Sequence, residues 1–218
     1  MKSPSEGGYG PYLYCICNGD DGAIVLQADQ STWWARESVL RGERINAGDC
    51  ALRGKTTVRE SSKKEIYATN SGGENGIISE NHVSKSGDSG IVLQERSGMV
   101  VAYNRVHRNN KNGILLRNAS SKSRVEGKYC RANNQGDAPF EYSGIGLRNC
   151  GDHMVTANMC RKEGDPPKDD PPYPAYGIDI GPDCSNIAVT NNDFRNAGKS
   201  GSMDDNGVGT ITTPSNIV

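Results

Sequence analysis

Large apolar residues are scarce in this chain: only two of 218 residues are Phe, two are Trp and 34% are hydrophobic, against 27 glycines. So few apolar residues cannot build a packed core unless they recur on one side of a regular element. No run approaches the roughly 18 apolar residues of a membrane-crossing helix, so no membrane partner is expected. Residues 1–22 lack the basic start and apolar centre of a secretion signal, and the chain reads as soluble. A dominant charge is missing too. With 25 Lys and Arg against 26 Asp and Glu, the formal net charge is −1. That excludes a general attraction to nucleic acid, and a polyanion must be recognised by a local patch. The seven cysteines form no pair of CxxC units, so zinc is not indicated, and an odd number cannot all pair internally.

What the chain has is a repeat. A Gly followed by an apolar strand occurs at Gly90-Ile91-Val92-Leu93, Gly113-Ile114-Leu115-Leu116, Gly144-Ile145-Gly146-Leu147, Gly177-Ile178-Asp179-Ile180 and Gly207-Val208-Gly209-Thr210. A second apolar anchor follows the first four, at Val101, Val125, Val155 and Val189. Three residues beyond each stands a polar position: Asn104, Lys128, Asn158 and Asn192. Asn81 to Asn104 gives a repeat of 104 − 81 = 23 residues. The alternation inside the strands has period 2, so each unit reads as strand, turn, strand, Asn corner, anchor and loop, without helices. Such a unit buries its apolar face only by stacking on its neighbours. The expected fold is all-β, a right-handed single-stranded parallel β-helix of about eight rungs. It spans 23–218, after a cap or tail at 1–22 in which Tyr12 to Cys17 is the candidate cap strand. Ile24 to Gln27, Cys50 to Arg53 and Ile66 to Thr69 are the expected earlier strands, with Val39 placed like Val106. Stacked inward asparagines satisfy one another from rung to rung. Ser215-Asn216-Ile217-Val218 restarts the pattern of Ser185-Asn186-Ile187-Ala188, so the chain stops within a rung. Either it is a fragment, or an end-capping partner or a second copy covers that end.

The NGI-type units resemble the pectate-lyase-like superfamily, specifically its carbohydrate-binding and sugar-hydrolase repeats. The resemblance covers residues 72–218 well and 24–71 loosely. It implies an acidic polysaccharide as partner and an extracellular, cell-surface or virion-associated setting. That superfamily includes lyases, epimerases, hydrolases, tail-spikes and adhesins, so fold alone does not choose among them.

The repeat is broken in one place. From the Asn-corner position to the next Gly the regular rungs use nine residues; the next three use 16, 19 and 15. Stacking sets these insertions side by side as one wall, the usual site of binding on a solenoid. They carry Phe140, Tyr142, Asp165, Asp169, Asp170, Tyr173, Tyr176, Asp204 and Asp205. Beside the wall, two outward columns are expected on the strand that follows each loop. One holds Val25, Ala51, Tyr67, Val92, Leu115, Gly146, Asp179 and Gly209. The other holds Gln27, Arg53, Thr69, Gln94, Arg117, Arg148, Gly181 and Ile211. Arg117 and Arg148 one rung apart suit carboxylates along a sugar chain.

Tyr176-Gly177-Ile178-Asp179 resembles the first four residues of the YGFDPH motif of alginate (mannuronan) C5-epimerases. In that family the Tyr and His are acid and base and the Asp belongs to the same site. Here Ile180 replaces the Pro and Gly181 replaces the His. Uronate lyase or epimerase chemistry needs a cation against the sugar carboxylate, a base at C5 and an acid. The candidate catalytic residues are therefore Tyr176, Asp179, Arg148 and His153, and the substrate-binding ones Arg117, Arg53, Tyr142 and Tyr173. Calcium is the candidate cofactor, with Asp169, Asp170, Asp204 and Asp205 as ligands; the same acidic pairs also read as turn formers. The alternative function is a non-catalytic carbohydrate-binding or structural β-helix. Cys130/Cys160 and Cys150/Cys184 align one rung apart. The first pair is expected as reduced stacking, and the second is open between thiols and a disulfide.

Overall fold

The computed structural model describes residues 76–135, 141–162 and 174–218 throughout, and of the first 75 residues the strands given below, with side chains for 66–68. Among the described residues every regular element is a strand of two to four residues, and the strands pair in parallel into three sheets of eight, nine and seven. The first sheet runs from Ile24–Leu26 through Ile45–Ala47, Ile66–Thr69, Ile91–Gln94, Ile114–Arg117, Ile145–Arg148 and Ile178–Ile180 to Met203–Asp205. The second holds the anchors, with Val101, Val125, Val155 and Val189 in register. The third follows the Asn corner and aligns Val58, Val83, Val106, Cys130 and Cys160. Each turn of chain visits all three sheets. The result is the right-handed parallel β-helix, its interior filled by residues such as Ile91, Leu93, Val101, Val106, Ile145 and Val189, all fully buried.

Register corrects four placements. Ala51–Arg53 pairs with Ile77–Ser79, so Arg53 lies opposite Ser79 in the second sheet, and the first-sheet strand of that turn is Ile45–Ala47. Leu40, not Val39, is in line with Val58, Val83 and Val106. Met203–Asp205, not Gly207–Thr210, continues the first sheet, and Ile211 belongs to the second, opposite Ala188. Asn216 aligns with Asn192 rather than with Asn186, since its Oδ1 accepts from Asn192 N at 2.9 Å. Tyr12–Leu13 and Ile16–Asn18 pair in parallel with Trp34–Ala35 and Val39–Arg41.

The corner between the second and third sheets turns on one left-handed residue per rung: Glu80, Tyr103, Gly127, Ala157 and Asn191 have φ between 53° and 59°. Four of the five are not glycine, and such backbone persists only where its surroundings over-determine it. The asparagine ladder does so. Asn158 N and Nδ2 both donate to Asn192 Oδ1 at 2.9 Å, while Nδ2 also donates to Val125 O at 3.0 Å and Oδ1 accepts from Lys128 N at 3.1 Å. Asn81 and Asn104 repeat the pattern. A second ladder, Ser86–Asn109–Asn133, lines the next corner.

Lys128 interrupts the first ladder. It is buried, and its Nζ has no hydrogen-bond partner. Desolvation pulls its pKa well below the ordinary lysine value. Between the lowered native value and the ordinary one, the unfolded chain binds a proton that the native chain releases, and wild-type stability should rise with pH toward the ordinary lysine pKa. Lys128→Met, which keeps the packed stem, is expected to stabilise the fold at neutral pH by about 1–3 kcal/mol and to abolish that alkaline rise. Urea midpoints at pH 7 and 9.5 check both. The four described cysteines are free thiols: Cys130 and Cys160 stack in register, and Cys150 Sγ lies 3.6 Å from Cys184 Sγ.

Candidate functional site

The glycine that opens the four first-sheet strands starting at Ile91, Ile114, Ile145 and Ile178 answers a packing need. A Cβ on Gly113 would lie 2.7 Å from Gly144 O, one on Gly144 2.8 Å from Gly177 O, and one on Gly177 2.8 Å from Ser202 O. Only hydrogen fits where the chain leaves a loop and enters the sheet. Because these entries are pinned, the described ends of the inserted loops lie against one another. Ala175 N donates to Tyr142 O at 2.7 Å, Lys199 N to Pro174 O at 2.9 Å and Ser200 N to Ala175 O at 2.9 Å. Tyr142 and Tyr176 therefore stand on neighbouring loops. Tyr176 O accepts from Gly144 N, and a Cβ on Gly201 would be 3.3 Å from its Cε1, so its ring rests against the following loop. The Lys111 ammonium lies 5.8 Å from the Tyr142 ring centroid. Phe140, Asp165, Asp169, Asp170 and Tyr173 lie outside the described residues.

Along the outer face of the sheet the column Tyr67, Val92, Leu115, Gly146, Asp179, Asp204 is in register. Its first three members form a small buried apolar cluster. Gly146 then makes room: a Cβ there would meet Asn112 Oδ1 at 2.8 Å, and that oxygen accepts from Ser143 N. The two acids follow. The neighbouring column is Gln94, Arg117, Arg148. Here the two guanidinium groups do not lie parallel. Like charges about 4.8 Å apart repel, and each turns to the nearest acceptor. Arg117 donates through Nε and Nη2 to Gln94 Oε1 at 3.0 and 2.8 Å, an oxygen that also accepts from Tyr67 Oη. Arg148 turns the other way. Its Nη1 donates to Asp179 Oδ1 at 3.0 Å and to Leu147 O at 2.7 Å, and its Nη2 closes a bidentate ion pair with Asp179 Oδ2. Gly181 permits this, since a Cβ at that position would lie 3.1 Å from Arg148 Cδ. The residue that stands where the epimerase motif has histidine thus gives Arg148 its path to Asp179. The Arg148 side chain stays 43% exposed and that of Asp179 12%.

Three expectations change. His153 is buried inside the helix: its Nδ1 accepts from Ser123 N at 3.1 Å and its Nε2 meets Ser120 Oγ at 3.4 Å. Burial lowers its pKa to about 4, and it has no access to the outer face. Below about pH 6.5 the unfolded chain takes up a proton that native His153 refuses, so stability is lost as pH falls toward 4, by as much as about 3 kcal/mol. His153→Gln should flatten that part of a pH–stability curve measured by urea unfolding. Half-buried His107, also lowered to about 4, contributes with the same sign. Arg53 has left the column, as described above. Asp204 and Asp205 do not act together: Asp204 Oδ2 accepts from Asn206 Nδ2, while Asp205 Oδ1 is held by Gly207 N and Thr210 Oγ1 as a turn former. Among the described residues no group of three His, Cys, Asp or Glu is placed to hold a metal ion, and Asp169 and Asp170, the other expected calcium ligands, lie outside them.

Residues 42–194 match the family described as right handed beta helix region. That is most of the chain, and the protein belongs to this family. Among solved structures, the Azotobacter vinelandii mannuronan C-5 epimerase AlgE6 A-module superposes with a TM-score of 0.67 at 14% identity, covering 88% of this chain and 54% of that one. A variant of the periplasmic alginate epimerase AlgG gives 0.60 at 21%, covering 75% and 35%. The AlgE4 A-module, also of Azotobacter vinelandii, gives 0.51 at 13%, covering 86% and 57%. The chain therefore spans roughly a third to just over half of these structures, and at such identities the likeness establishes the fold. No curated protein sequence matches significantly.

Proposed function

We propose that the chain binds an acidic polysaccharide along the outer face of its first sheet, beneath the stacked loops, and acts on its uronate residues by lyase or C5-epimerase chemistry. The Arg148–Asp179 pair is the observation that carries this reading. Breaking the C5–H bond of a uronate needs a cation beside the sugar carboxylate, a base near C5 and an acid for the leaving oxygen or the opposite face. Arg148 is exposed enough to receive a second carboxylate, Asp179 is held within its reach as the base, and Tyr176 leads the same strand as the acid. Arg117, Tyr142 and Tyr173 hold the neighbouring sugars. The alginate and mannuronan epimerases that share this fold support the substrate class, and with it a periplasmic or extracellular setting. One observation favours a second reading, non-catalytic binding by a structural or adhesive β-helix: Gly181 leaves the motif without its histidine.

Incubation with polymannuronate, alginate, pectate and glycosaminoglycans separates the readings. Ultraviolet absorbance of an unsaturated uronate marks a lyase, and exchange of the C5 proton without it marks an epimerase. Silence on every polymer, with binding retained, would leave only the non-catalytic reading.

A further inference from the structure

We propose that Cys150 and Cys184 form a modification site, a thiol pair that hydrogen peroxide converts into a disulfide joining two successive rungs beside the Arg148–Asp179 pair. The two sulfurs lie 3.6 Å apart, on residues 34 positions apart in the chain. Their backbones are already tied. Ser185 N donates to Cys150 O at 3.1 Å, Gly151 bridges Ser185 in parallel, and Val208 N donates to Cys184 O at 2.9 Å from the rung beyond. Neighbouring rungs are about 4.8 Å apart, inside the Cα separation of ordinary disulfides, about 4.4–6.8 Å. Joining the sulfurs therefore asks for side-chain rotation and no new backbone path. Cys184 ends a turn in which its N donates to Gly181 O at 3.1 Å; Pro182 and Asp183 within that turn are exposed, as is Asn149 before Cys150. The thiols thus lie one residue beneath the surface, Cys150 6% and Cys184 1% exposed. A molecule the size of peroxide reaches them through a slight opening of that turn.

The surroundings set the order of reaction. The hydrogen bond between the two sulfurs is the largest cause of both shifts: it raises the Cys150 pKa and lowers that of Cys184 to about 7. Backbone groups of Cys150 and Gly181 and the Arg148 guanidinium also lower Cys184, against the desolvation that burial imposes. The thiolate is the nucleophile, so Cys184 attacks first. Its sulfur takes one oxygen of the peroxide, the O–O bond breaks, and hydroxide leaves to be protonated to water; Cys184 becomes a sulfenic acid. The Cys150 sulfur then attacks the Cys184 sulfur, the S–O bond breaks, and the departing hydroxide takes the Cys150 proton as a second water. Two thiols are oxidised to one disulfide, and one peroxide is reduced to two waters.

Cys130 and Cys160, also one rung apart, supply the contrast. Burial and the hydrogen bond with Cys130 raise Cys160 well above the ordinary thiol value, so that pair has no thiolate with which to begin. The bridge also bears on the neighbouring site. Arg148 stands two residues before Cys150. Gly181, whose missing Cβ gives the Arg148 side chain its path, opens the turn that ends at Cys184, and its N donates to Leu147 O at 3.0 Å. A bond from Cys150 to Cys184 ties the chain just after Arg148 to the turn that gives it passage.

The test treats the full chain with hydrogen peroxide and maps its thiols by alkylation, digestion and tandem mass spectrometry. A Cys150–Cys184 cross-link is expected, with Cys130 and Cys160 still alkylated once the protein is denatured. The rate of its formation should rise with pH about a midpoint near 7, rather than the roughly 8.5 of an unshifted thiol. Closing a loop of 34 residues should raise the thermal midpoint by about 5–10 °C, and dithiothreitol should reverse the rise. In Cys150→Ala, which lacks the second thiol, Cys184 should go on to the sulfinic acid; the wild-type linkage map stands whether or not that variant folds. Thiols 150 and 184 that both remain open to alkylation, that are oxidised singly in the wild type, or that stay reduced while Cys130 links to Cys160 overturn the proposal. None of these readings depends on turnover of a polymer.

Discussion

Asn158→Ala is expected to cost about 3–5 kcal/mol, because it leaves several buried groups unpaired at once. Lys128 N loses its side-chain acceptor, Val125 O loses its side-chain donor, and Asn192 Oδ1 keeps one of its two donors. None of these positions is open to water: Asn158 and Asn192 are about 1% exposed and Lys128 about 2%. The rung before is already weak, since Lys128 offers no carbonyl oxygen to continue the ladder. Two successive rungs would then lack the amide that holds a left-handed corner residue, Gly127 in one and Ala157 in the other. In a solenoid each rung touches only its neighbours, so a break there separates two blocks. Urea unfolding followed by circular dichroism should show a lower midpoint and a second, resolvable transition. Asn216→Ala makes the control. That side chain is only partly buried and water can replace its bonds, so the expected cost is about 1 kcal/mol. Equal losses for the two variants would show that the ladder is not what holds the corners.

The ladder and the anchor columns were legible in the sequence because they depend on identity at fixed spacing. Val101, Val125, Val155 and Val189 sit where the spacing places them. What spacing cannot supply is the sheet to which a short strand belongs. Ala51-Leu52-Arg53 alternates just as Ile114-Leu115-Leu116-Arg117 does, and three-residue strands in all three sheets share that period. Only pairing with Ile77–Ser79 moves Arg53 to another side of the molecule. Met203-Asp204-Asp205 has no β-branched residue and is a strand because Ile178–Ile180 offers it an edge. His153 looks like an exposed turn residue, and its burial follows from two serines a rung away, 30 and 33 positions back in the chain.

At the first-sheet site, Asp179→Asn should reduce turnover of any polymer the wild type converts by about 10²–10⁴-fold, the range for removing a general base. The fold should barely respond, because a pair whose arginine is 43% exposed contributes no more than about 1 kcal/mol. Arg148→Ala removes the cation instead. It should raise KM and lower kcat together, since the sugar carboxylate is held both before and during proton abstraction. The exchanged pair Arg148→Asp/Asp179→Arg distinguishes chemistry from architecture. It can rebuild the ion pair, yet it moves the carboxylate back one rung and across to the neighbouring column, away from the strand that Tyr176 leads. The double variant should therefore recover the wild-type urea midpoint and remain inactive. Recovery of activity along with stability would mean that Asp179 and Arg148 serve only to hold each other, and the base would have to be sought elsewhere on the wall.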